Sequence, residues 1–133
     1  MDNYMNTLEL DFINTYVVKE KKERLIYEFS NPKKRENAIL RFSHNTESIV
    51  NDKFIKCRCN IDNINQFLDL SGDVYVISLY KIDGEICSYK QAVAHLSEQY
   101  MPVIIIADNH VIIKSECDNI KDSIFILTKS TNR

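Results

Sequence analysis

From Val74 onward the apolar residues fall into short, nearly unbroken runs, and no other feature of the chain narrows its possible folds as much. Val74 to Tyr80, Met101 to Ala107, Val111 to Ser115 and Ile124 to Thr128 are strand-sized and rich in β-branched side chains. The first two are apolar almost throughout, as buried central strands are. Asp83-Gly84 marks a bend. Asp108-Asn109 supplies a tight turn that makes Val111–Ser115 a hairpin partner of the strand before it. Ser88 can cap a helix to about Gln99, with Tyr89, Ala92, Val93, Leu96 and Tyr100 on one face. Residues 74–107 therefore read as strand, crossover helix, strand, which predicts a parallel pair with a right-handed connection.

The first fifty residues carry a helical pattern instead. Met5, Leu8, Phe12, Ile13, Tyr16 and Val17 share one face of a helix over Thr7 to about Val18. Lys19 to Arg24 mixes both signs of charge, as on a solvated helix face or an exposed bend, before Leu25, Ile26 and Phe29 restore an apolar stripe. Pro32 disfavours helix at Asn31 but suits a first turn, so a second helix is expected from Pro32 to about His44. Asn45 to Glu47 either interrupts it or lets it run on to Val50. Phe54–Ile61 reads as a strand and Ile64–Leu70 as a short helix. The expected architecture is α+β, a mixed sheet of four or five strands containing one βαβ unit and a C-terminal hairpin. A single domain over 1–133 is expected, with helical residues 1–50 packed on sheet-forming residues 54–129. A chain this long can bury a sufficient core without disulfides or a metal.

Several classes are disfavoured. The longest aliphatic stretch, Val103–Ile106, is far short of a bilayer span, so no membrane partner is expected. Met1 to Met5 lacks the basic-then-apolar layout of a signal peptide, which points to the cytoplasm. Cys57, Cys59, Cys87 and Cys117 then read as reduced thiols. Alternate residues of a strand share a face, so the Cys57-x-Cys59 pair is expected to pack inward, and no second close pair completes a zinc site. No cofactor or metal is implied. The only glycines, Gly72 and Gly84, are isolated, which leaves no phosphate-binding loop. Usage rich in Asn, Ile and Lys points to a bacterial source.

Net charge is only −2, so the whole chain is not a polyanion binder, but residues 1–60 carry a small positive excess concentrated between Lys19 and Arg41. On a helix Ala38, Ile39 and Phe42 share one side, while Lys33, Lys34, Asn37, Arg41 and His44 form a polar stripe opposite, with Leu40 inside it. Arg35 leans towards the apolar side and is expected to meet a carboxylate there. The stripe suits an acidic protein surface or phosphates, and a merely solvated face needs neither. Tyr27 and Phe42 do not interleave with the cations as in a single-strand binder. His44, one turn from Arg41, is the best-placed general acid or base, though no second one is identifiable. His95 and His110 fall at solvated and turn positions. Asp83 and Asp108, with Glu85, would share one sheet edge if their strands were parallel and could there hold Mg²⁺, but tight turns demand the same residues.

These features point to a small non-enzymatic protein-interaction module, of the immunity type that neutralises a partner by binding, acting through Lys33, Lys34, Asn37, Leu40, Arg41 and His44. The alternatives are an RNA-binding or RNA-cleaving protein using the same helix, and a Mg²⁺ or small-ligand site near Asp83 and Asp108. Asp62, Asp69, Asp73, Asp118 and Asp122 form a rival, acidic contact surface.

Overall fold

A computed structural model describes residues 6–59, 71–79, 81–98, 102–115 and 124–129, with 95–98 through their backbone alone. Helix α1 (Thr7–Tyr16) starts where Asn6 accepts the Leu8 amide through its side chain at 2.7 Å. It stops at Val17, whose extended backbone bridges Val50. Helix α2 (Lys19–Phe29) turns back beneath it. The Asn31 side chain accepts the Lys33 amide, and the turn it opens leads into α3 (Arg35–His44), three residues later than Pro32 predicts. Asn45 breaks that helix before the one-turn α4 (Thr46–Ile49). The Val18 amide donates to Ile49 and that of Asn51 to Tyr16, so the four helices close into one layer.

Among the described residues the rest is an antiparallel sheet of six strands: β1 (Ile55–Cys59), β2 (Asp73–Ser78), β3 (Ile86–Ser88), β4 (Val103–Ile106), β5 (His110–Lys114) and β6 (Ile124–Thr128). Their spatial order is β1-β6-β5-β4-β2-β3. The fold is α+β, but the expected parallel pair is absent from the described sheet: β2 and β4 run antiparallel, with Tyr75 opposite Ile106 and Ser78 opposite Val103. The cause is β3, three residues that reverse the chain after Gly84 (φ +79) and before helix α5 (Tyr89–Glu98). Helix α5 thus joins β3 to β4, which run the same way on either side of β2. Ser88 caps α5 as expected, its hydroxyl accepting the Gln91 amide at 3.2 Å. The Asp108-Asn109 hairpin is also present, with β4 and β5 in register from Val103–Lys114 to Ile106–Val111.

Continuous apolarity in the strands has a direct cause. Tyr75, Ile77, Ile104, Val111, Ile113, Phe125 and Leu127 face the α1–α4 layer, while Val74, Val76, Val103, Ile105, Ile112 and Ile126 pack on the opposite face with Tyr89 and Ala92 of α5. A bulge at Lys56 turns β1 over, so Ile55 faces the helices while Cys57 and Cys59 face the other way. The two thiols do pack inward.

A charged cluster sits between the helical layer and the sheet. Glu9 falls on the same α1 face as Phe12, Ile13 and Tyr16 and is buried with them. Arg35 reaches it from α3 with paired 2.7 Å bonds from both terminal nitrogens. Its Nε and Nη2 also donate to Asp83 at 2.8 Å, and Nη1 donates to the Phe29 carbonyl at 2.9 Å. All five guanidinium donors are therefore used. The Tyr75 hydroxyl donates to Glu9 at 2.5 Å, and Asp83 accepts the Ser78 amide at 3.0 Å. Burial alone would lower the Arg35 pKa, but the two carboxylates outweigh it and hold the guanidinium firmly protonated. Burial and the Glu9 carboxylate push Tyr75 up, so it stays a donor. Removing Arg35 strands a buried carboxylate. Arg35→Met is expected to destabilise the fold by about 3–5 kcal/mol and Tyr75→Phe by about 1–2 kcal/mol, read by urea titration. Arg35→Met without measurable cost would show that the cluster contributes no net stability.

Candidate functional site

The α3 stripe is only partly available as a surface. Lys33 and Lys34 are exposed in the turn before α3, and Asn37 and His44 are exposed on the helix. Leu40 is half-buried. Arg41 is drawn back to α2, where its guanidinium bonds Glu28, which also accepts from Arg24 at 3.2 Å. Burial opposes ionisation of Glu28, yet the two arginines prevail and hold its pKa below the usual carboxylate value. His44 lines a small polar pocket of about 280 Å³ with Arg58, Glu47 and Ser115, in which Arg58 pairs with Glu47 at 2.9 Å and lies over the Phe125 ring. Arg35, expected to meet a carboxylate, meets two.

Asp83 and Asp108 do not share an edge. Because β2 and β4 are antiparallel, Asp83 follows the Ser78 end of β2 while Asp108 lies by its Asp73 end. Asp83 is moreover committed to Arg35. Among the described residues no three His, Cys, Asp or Glu side chains are grouped to hold a metal ion. His110 is more than a turn residue. The buried Tyr89 hydroxyl bonds its Nε2, their rings stack at 5.7 Å, and Nδ1 lies 2.9 Å from Asn109 Oδ1. These contacts suit a neutral imidazole with its proton on Nδ1.

A groove of about 430 Å³ with exposed apolar walls lies between α1 and the corner of the sheet. Leu8, Asp11, Phe12, Thr15 and Tyr16 form the helix side; Asp73 and Tyr75 of β2, Ile86 of β3, Asp108 and Lys129 form the other. Ile86 is opposite Tyr75 and so shares its face, but it lies at the sheet margin and is 65% exposed. Leu8 is 39% exposed. Among the described residues three carboxylates and one ammonium rim the groove. Of the acidic residues expected as a rival surface, Asp73 lies here, while Asp62, Asp69, Asp118 and Asp122 fall outside the described residues. Periodicity places Leu8 on the buried side of α1, so its exposure was hidden from the sequence. Ile86 was hidden because β3 is too short to show an alternation.

In comparisons with protein-family models, curated proteins and solved structures, nothing matches the chain. Among the described residues no helix is long and apolar enough to cross a membrane.

Burial, with the positive charge of Lys56 adding to it, lowers the His110 pKa, and Asp108 opposes the shift. A base whose folded pKa lies below its unfolded value gives stability that is complete above about pH 6.5 and lost as pH falls through the folded value. The melting temperature is therefore expected to drop between pH 7 and 5, and His110→Gln is expected to flatten that slope. An unchanged slope in the variant would remove His110 as its source.

Proposed function

We propose that this protein is a small non-enzymatic interaction module acting in the cytosol by binding another protein, as an immunity-type protein neutralises its partner. The observation that carries this reading is the groove beside α1, where Leu8 and Ile86 leave apolar surface open to solvent. Two exposed apolar side chains converging on one concavity are what a partner's side chain can fill. The charged side chains best placed for chemistry are committed elsewhere. Arg35 has no donor left, and Arg41 is held by Glu28. Lys33, Lys34, Asn37 and His44 then serve as a secondary polar contact, and the RNA reading loses Arg41.

Affinity capture from lysate of the source organism, at low and moderate salt, tests this. The native protein is expected to retain one stoichiometric protein at moderate salt. Ile86→Lys with Leu8→Ser is expected to lose it, at a cost of roughly ten- to a hundredfold in affinity, with the melting temperature unchanged. Recovery of nucleic acid alone, released by salt, would refute the proposal in favour of the Lys33–His44 helix.

A further inference from the structure

We infer that the groove takes a basic segment of its partner, carrying an apolar side chain between Lys or Arg residues; this rests on the interaction-module reading above. The apolar and charged parts of the groove are spatially combined. Leu8 from α1 and Ile86 from β3 supply exposed aliphatic surface, with buried Phe12 and Tyr75 behind them. Asp11, Asp73 and Asp108 are all exposed on the rim, against one cation among the described residues, Lys129. Among the described residues the cluster around Arg35 draws on none of these three carboxylates, whereas Glu9, Glu28 and Asp83 are each bound to arginine. The buried acids serve the fold, and the rim acids face the site where a ligand would sit. An acidic segment would meet like charge from three sides, and a purely apolar one would leave the carboxylates without compensation. A segment with one apolar anchor flanked by cations meets both demands, and its association would be accelerated at low salt.

The test uses the full chain and a phage-displayed library of random dodecapeptides, with counter-selection on D11N/D73N/D108N. All three positions are exposed, and circular dichroism checks that the variant remains folded. Enriched peptides are expected to place Lys or Arg on both sides of an aliphatic or aromatic residue. A synthetic consensus peptide is expected to bind roughly tenfold more weakly to the triple variant and to Ile86→Ser, and to weaken with added salt. Enrichment of peptides without cations, lost only with Ile86→Ser, would overturn the charge preference while leaving the interaction module standing. Failure to select any groove-dependent peptide would overturn this inference. If lysate capture also gave no protein, the broader reading would fall with it.

Discussion

A single guanidinium joins the two halves of this protein. Arg35 belongs to α3, Glu9 to α1 and Asp83 to the connection after β2, so its five donors tie two helices to the sheet at one point. Desolvating these charges is costly, and their attraction offsets the cost only when geometry is good and every remaining polar atom finds a partner. Here the bidentate pairs supply the geometry, while Tyr75, Ser78 and the Phe29 carbonyl complete the hydrogen bonding. Such a cluster ties one helix face to one place on the sheet through directional bonds, which the surrounding Ile, Phe and Val contacts do not supply.

The same commitment shapes the surface. With Arg35 withdrawn and Arg41 held on Glu28, the positive excess of the first sixty residues does not become one open cationic face. The sheet corner that α1 leaves partly uncovered becomes the more distinctive feature, because there exposed aliphatic surface and exposed rim carboxylates coincide. That combination is what supports the proposed binding role.

Much of this was legible in the residues. The strand runs, the Ser88 cap, the Asp108-Asn109 hairpin and the inward Cys57 and Cys59 all follow from local rules, because each depends on neighbours in sequence. Arg35 betrayed itself by its place on an apolar face. Glu9 gave the complementary sign, a carboxylate in register with Phe12, Ile13 and Tyr16, but its partner lies 26 residues away, beyond any local pattern. The strand order failed for a different reason. Ile86, Cys87 and Ser88 are too few to announce a strand, yet that one reversal converts an expected parallel pair into an antiparallel one and moves Asp83 and Asp108 to opposite ends.

The claim that Arg35 is a structural tie is tested most directly by nuclear magnetic resonance of its guanidinium in ¹⁵N-labelled protein. Bonds to two carboxylates and a carbonyl should block rotation about Nε–Cζ, giving resolved Nη1 and Nη2 signals whose protons exchange slowly with water. One averaged, rapidly exchanging signal, like that of a solvated arginine, would contradict the account and return Arg35 to the pool of cations available to a partner.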